Sequence, residues 1–273
     1  VTRPPRPTTR LDLEQALEHA SRATTLLVAT DFDGVLAPFH TDPMQVRASP
    51  GTMESLRSLV HLPGIHVAVI SGRDLATLRQ LSEVAVDEPI VLIGSHGAES
   101  SSEQVRSAME GAAVTPDDEA RLHQLRRDIT ALIETHHPAA AIENKAAAVV
   151  VHVRGLEREL GDAAVADARR LALEHPGVKV LKGKSVLELS VSHADKGSAV
   201  TAYGRAVGAT ARIYFGDDVT DEDAFMRMTR PEDITVKVGT GSTAARYRLD
   251  DEAAVARCLQ RLEHLCTTLR VTS

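Results

Sequence analysis

The sequence has no tryptophan, and only three Tyr and four Phe among 273 residues. A chain this long can bury a sizeable core, and Leu, Val, Ile and Ala must build it. So few aromatics leave no platform for base stacking. There is no basic excess either. The 31 Lys and Arg stand against 38 Asp and Glu, a net charge of -7. That balance argues against a nucleic-acid partner, whose phosphates demand clustered cations. Apolar runs such as Ala146 to Val151 fall far short of the roughly 18 residues of a membrane span. Cysteine is nearly absent. Cys258 and Cys266, on one helix, would stand about 12 Å apart, too far for a disulfide. A reduced, cytoplasmic setting is the expectation. The opening VTRPPRPTTR has no apolar stretch behind it. It reads as a leader over residues 1–20, disordered and then helical, rather than as a secretory signal.

Hydrophobic 43% and charged 25% describe an ordinary globular chain of one to two domains. Short β-branched runs at 24–30, 67–70 and 90–93 alternate with helical spacing at 49–62 and 74–81. That rhythm predicts a parallel α/β sheet. It breaks after residue 101. A long amphipathic helix over 115–135 is followed by a strand at 146–154, a helix at 157–174 and a hairpin around Lys182-Gly183-Lys184. This block reads as an inserted α+β domain over 102–188. The α/β rhythm then resumes, so 21–101 and 189–273 together make the main domain.

Four segments follow strand ends, where open α/β sheets place their ligands. In Asp31-Phe32-Asp33-Gly34 the extended period of two puts Asp31 and Asp33 on one side. Such a pair can supply a nucleophile and a general acid/base, or else two solvated loop acids. Gly216-Asp217-Asp218-Val219-Thr220-Asp221-Glu222-Asp223 holds five acids in seven residues. They repel one another unless a cation neutralises some of them. All-oxygen ligation points to Mg²⁺. Helix capping accounts for Asp221 and Glu222 but not for Asp217-Asp218. An EF-hand fails for lack of its sixth-position Gly and twelfth-position Glu. Ser71-Gly72-Arg73-Asp74 offers a hydroxyl at a helix start, either for phosphate or as a plain cap. In Asp195-Lys196-Gly197 the lysine can neutralise a carboxylate or phosphate, or lie in solvent. Together these groups form an inventory for phosphoryl transfer through an aspartyl-phosphate with Mg²⁺.

The chain resembles the haloacid dehalogenase (HAD) superfamily of phosphohydrolases, and within it the trehalose-6-phosphate phosphatase branch. The resemblance runs from about Leu26 to Leu265 through DFDGVLAP, VISGRD, GSHGAE, HADKG and GDDVTDEDAF. It implies a Rossmann-like core with the inserted block as a cap of the C2 type. It implies Asp31 as nucleophile, Asp33 as general acid/base, and Ser71 and Lys196 as grips on the phosphoryl group. Gly72 and Arg73 fall beside the substrate. Asp31, the Asp33 carbonyl and Asp217 would hold Mg²⁺. Asp218 and Asp221 would act as partners of the metal water and of Lys196. In the cap, Glu143-Asn144-Lys145, Arg154, Lys184 and Glu188 match the family's sugar-binding positions. Hydroxyl-rich ligands call for such hydrogen-bonding groups. Val35 replaces the family's usual Thr, a departure that backbone phosphate binding tolerates.

The implied activity is hydrolysis of trehalose 6-phosphate, which completes trehalose biosynthesis. The partner is a small molecule, and a monomer is the expectation. Rival readings are a phosphatase for sucrose phosphate or a glycosyl-phosphoglycerate, a D-x-D glycosyltransferase, and a non-catalytic sugar-phosphate binder. Two decoys are set aside. Gly239-Thr240-Gly241-Ser242-Thr243-Ala244 matches a dinucleotide loop but lacks the strand and acid that should follow. His136-His137 lacks partners at metal-ligand spacing. His96 lies past a strand end, either bordering the site or serving as a plain loop residue.

Overall fold

Helix α1 (Arg10–Ala20) precedes strand β1 (Leu26–Thr30) in the computed structural model, which describes residues 10–109, 114–183 and 185–270. The chain continues through α2 (Thr52–Val60), β2 (Ile65–Ile70), α3 (Leu75–Ser82), β3 (Val91–Gly94), β4 (Glu99–Ser100) and α4 (Glu103–Ala108). A second unit then runs α5 (Pro116–His136), β5 (Ala141–Lys145), β6 (Ala148–His152), α6 (Arg158–Ala172), β7 (Lys179–Gly183) and β8 (Val186–Ser190). The chain returns as α7 (Lys196–Ala206), β9 (Ala211–Gly216), α8 (Glu222–Arg227), β10 (Asp233–Val238), β11 (Tyr247–Leu249) and α9 (Glu252–Arg270). Cys258 and Cys266 lie buried and unpaired on α9.

The first unit is a seven-stranded sheet of order β11-β10-β9-β1-β2-β3-β4, parallel except for β4. Its strands are apolar on both faces, as helices on both sides require. Leu26 and Val28 pack with α2, α3 and α9, whereas Leu27 and Ala29 pack with α4, α7 and α8. Strand order reverses at β1, which pairs with β2 on one side and β9 on the other. Such a reversal opens a crevice at the carboxyl ends of the strands.

The second unit is an antiparallel sheet of order β5-β6-β8-β7 with α5 and α6 on one face. Val149, Val151, Leu187 and Leu189 turn to the helices. The opposite face carries Glu143, Lys145, His152 and Glu188, fixed by the register Glu143↔Val150↔Glu188.

The structure differs from the sequence reading in several elements. The inserted block gains β5, because AIENK alternates charge with little β-branched content. The short β4, α4 and β11 also escape periodicity. The Gly239–Ala244 loop is followed by the short strand β11, which the apolar pattern does not mark. The described residues to 109 and from 195 form the first unit, and those from 114 to 194 the second. Helix α4, placed in the inserted block by the 102–188 reading, packs in the first unit. Val105 is buried with Val200 and Tyr203, and Gln104 Nε2 donates to the Ala206 carbonyl at 2.8 Å. At the other end, Val191 N–H donates to Ala147 O at 2.9 Å, within the second unit. Residues 1–9 of the expected leader lie outside the described residues, and 10–20 are helix α1.

Candidate active site

Three neighbouring parallel strands each end one residue before a functional side chain: Asp31 after β1, Ser71 after β2 and Asp217 after β9. Parallel pairing aligns these ends, with Thr30 opposite both Val69 and Phe215. Lys196 is the first residue of α7, capped by Asp195, whose carboxylate accepts from Ser198 N–H. The fold thus gathers four of the sequence motifs at one edge of one sheet.

Lys196 is 2% exposed, and its ammonium donates to Asp31 Oδ2 at 2.6 Å and Asp221 Oδ1 at 2.9 Å. Burial opposes its charge, but Asp221 and Asp31 outweigh burial and hold it protonated beyond the ordinary lysine range. Asp221 is satisfied on both oxygens. Oδ1 also accepts from the Tyr214 hydroxyl at 2.7 Å, and Oδ2 accepts the N–H groups of Asp217 and Asp218. Burial works against its ionised form, yet Lys196 and these donors hold its carboxyl below the usual range. Burial pushes Asp31 well above that range; Lys196 draws it back, and Asp221 and Asp217 add to the rise. Phe32 N–H donates to Asp31 Oδ1 at 2.6 Å, so the Asp31 carboxylate is fixed at both oxygens.

Asp31, Asp217 and Asp221 each present an oxygen within 4.8 Å of the others. Asp217 is pushed up to about 7 by burial and then by Asp221. Its Oδ1 is buried with no hydrogen-bond partner. An orphaned buried carboxylate oxygen among acids fits a hard divalent cation. Because Asp221 is committed to Lys196, Tyr214 and two N–H groups, Asp31 and Asp217 are the carboxylates suited to ligation. Gly34, at φ 75°, makes the approach possible: a Cβ there would lie 2.3 Å from Asp217 Oδ2.

The other sequence candidates fall as follows. Ser71 is buried, and its Oγ accepts from Arg73 N–H at 3.2 Å. Arg73 is directed at Asp33, with Nε and a terminal nitrogen each 2.7 Å from a carboxylate oxygen. Its planar fork matches that carboxylate. Asp218, expected as a partner of the metal water, is exposed, and its carboxylate accepts from Val219 N–H at 2.7 Å. In the second unit, Lys145 pairs with Glu188 at 2.7 Å and Glu143 with His152 at 2.8 Å. Asn144 takes the opposite face, Arg154 is exposed, and Lys184 lies outside the described residues.

Sequence reasoning missed Tyr214 and Lys237. Tyr214 sits in an apolar strand and reads as core. Lys237 is 5% exposed and donates to the Asp217 carbonyl. A lysine alternating with valines in TVKV was the available signal.

A doubly wound sheet with this aspartate–lysine site defines a phosphohydrolase of the HAD class. A family model described as Trehalose-phosphatase matches residues 29–253. The chain belongs to the trehalose-phosphatase family, whose members are phosphoric monoester hydrolases. It is 30% identical over 248 residues to a trehalose-6-phosphate phosphatase of Escherichia coli, covering 88% of this chain and 86% of that one. It is 34% identical to a trehalose-phosphate phosphatase of Mycobacterium leprae, covering 85% of this chain and 56% of the relative. The C-terminal domain of C. albicans trehalose-6-phosphate phosphatase shares the fold with a TM-score of 0.75 at 21% identity. That match covers 96% of this chain and 99% of the other.

Two outcomes follow from the site's electrostatics. Lys196→Met leaves Asp31 and Asp221 buried without their cation, so we expect a loss of about 3–5 kcal/mol in urea unfolding. An unchanged midpoint would contradict the buried triad. Asp217 takes up a proton on folding, because its folded pKa of about 7 lies above the unfolded value. In EDTA its stabilising contribution is present below the ordinary carboxylate range and lost as pH rises through about 7. A divalent cation should therefore raise the melting temperature more at pH 8 than at pH 6.

Proposed function

We propose that the protein is a Mg²⁺-dependent phosphatase that hydrolyses trehalose 6-phosphate to trehalose and phosphate. The observation that bears most weight is the buried Asp31 held by Lys196 and Phe32 N–H beside the unpartnered Asp217 oxygen. A carboxylate so fixed suits attack on phosphorus. An Asp31 oxygen bonds to phosphorus and the bond to the sugar oxygen breaks. Asp33 enters this step protonated, one oxygen kept by Arg73 and its hydroxyl turned to the sugar oxygen, which takes the proton. Asp33 then takes a proton from water, which attacks phosphorus and frees Asp31. Lys196 and the Ser71 hydroxyl steady the phosphoryl oxygens. Asp31, the Asp33 carbonyl and Asp217 would hold Mg²⁺, which when bound offsets the negative charge of the transferring group.

Substrate choice is assigned to the second unit. Glu143, Lys145, Arg154, Lys184 and Glu188 are proposed to take sugar hydroxyls. The polar face shared by Glu143, Lys145 and Glu188 supports this reading, as do the relatives' names. Gly72 is proposed to lie beside the phosphoryl group. The two buried free cysteines support a reducing, cytoplasmic setting, and a monomer is proposed.

Phosphate release from trehalose 6-phosphate, sucrose 6-phosphate, glucose 6-phosphate and glucosyl-3-phosphoglycerate tests the reading. Turnover should be confined to trehalose 6-phosphate and abolished by EDTA. Asp31→Asn should lower it by about a thousandfold or more. Full activity in Asp31→Asn would overturn the mechanism, and turnover of another ester would overturn the substrate.

A further inference from the structure

The Ser95-His96 pair is strained. Both are non-glycine residues in the left-handed region, at φ 48° and 56°, a conformation that strains residues bearing a side chain. Histidine tolerates it better than most residues but not freely. Strain of this kind persists where the surroundings over-determine it. Here the surroundings are the loop that carries Ser71 and Arg73. His96 N–H donates to the Ser71 carbonyl at 2.9 Å, and Ser95 N–H to the Arg73 carbonyl at 2.7 Å. The Ser95 hydroxyl donates to Glu99, whose other oxygen accepts from Leu75 N–H at 3.3 Å. The loop after β3 is thereby stitched to the loop after β2 along its length.

The His96 ring is laid on Gly72. A Cβ at position 72 would lie 2.5 Å from His96 Cε1 and 2.7 Å from Nε2. Gly72 is therefore glycine because the ring occupies the space that a side chain would fill. Gly72 stands between Ser71 and Arg73, and Arg73 forks onto Asp33. A continuous run of contacts leads from the His96 ring through Gly72 and Arg73 to the Asp33 carboxylate.

We propose that His96 is a positioning residue for Asp33, acting by seating its ring on Gly72 and so fixing Arg73. The proposal rests on the reading of Asp33 as the acid that protonates the leaving oxygen. Its effect should depend on the leaving group. A sugar alkoxide needs a proton as it departs, whereas p-nitrophenolate leaves as the anion.

The experiment compares kcat/KM for trehalose 6-phosphate and p-nitrophenyl phosphate, because this constant reports the first phosphoryl transfer. The proteins are wild type, Asp33→Asn, His96→Gly, His96→Asn, Gly72→Ala and the double variant Gly72→Ala/His96→Gly. Thermal unfolding is followed alongside. Glycine and asparagine both accept the left-handed backbone, so neither substitution at 96 forces the loop to change. We expect Asp33→Asn to lose at least about tenfold more on the sugar ester than on the aryl ester. The two His96 variants should fall about tenfold on the sugar ester and less than about threefold on the aryl ester, while remaining folded. Gly72→Ala, by displacing the ring, should show the same excess loss on the sugar ester over the aryl ester, beyond any loss common to both from its place beside the phosphoryl group. That excess should be no greater in the double variant than in either single change, because the contact is already lost. Equal losses on both esters at His96, or an excess that multiplies in the double variant, would overturn the proposal while Asp33→Asn still discriminates. Equal losses in Asp33→Asn itself would overturn the acid assignment, and the proposal with it.

Discussion

An ammonium ion buried between two carboxylates organises this site. Lys196 is pinned where α7 begins, and its partners come from the segments after β1 and β9. Removing Lys196 leaves two buried carboxylates without compensation. The arrangement also divides labour among the acids. Asp221 is spent on Lys196, Tyr214 and two backbone N–H groups. Asp217 keeps a buried oxygen without a partner, and Asp31 keeps a carboxylate that is held but not enclosed by donors. One acid is structural and two remain for chemistry, and the hydrogen-bond census separates them where residue type alone does not.

The sheet makes this possible through register. Parallel strands whose ends align put the first residue beyond each strand on a common edge, and the reversal of order at β1 keeps that edge open. Asp31, Ser71 and Asp217 are one such row. The loop after β3 lies next to this row along the sheet. It braces the loop after β2 from behind, at the cost of two left-handed residues. The second unit solves a different problem. Its sheet turns valines and leucines to two helices and a row of Glu, Lys and His to the other side. Lys145 pairs with Glu188, and the His152 ring is hydrogen-bonded to Glu143.

Much of this was legible in the residues. The apolar runs before Asp31, Ser71 and Asp217 place all three just past strand ends, where the structure has them. The apolar runs gave the main strands, because burial on both faces leaves a strong mark. What escaped has specific physical causes. β5 alternates charged residues on an edge strand, so no hydrophobic period betrays it. α4 is a six-residue helix with one buried residue, Val105, so neither its existence nor its allegiance to the first unit shows in the pattern. The Arg73 fork onto Asp33 spans 40 residues of sequence, so no local pattern announces it. Tyr214 hides in a strand whose burial is complete, and its hydroxyl's errand is invisible until Asp221 is seen beneath it.

The central claim is that Asp31 attacks phosphorus and is later released by water. Two successive displacements at one phosphorus restore its configuration, whereas direct attack by water inverts it. The most direct measurement is the stereochemical course of hydrolysis of trehalose 6-phosphate bearing an oxygen-isotope-chiral phosphoryl group, with transfer to an acceptor alcohol in place of water. Overall retention is the predicted result. Inversion would show a single displacement and would contradict the role given to Asp31.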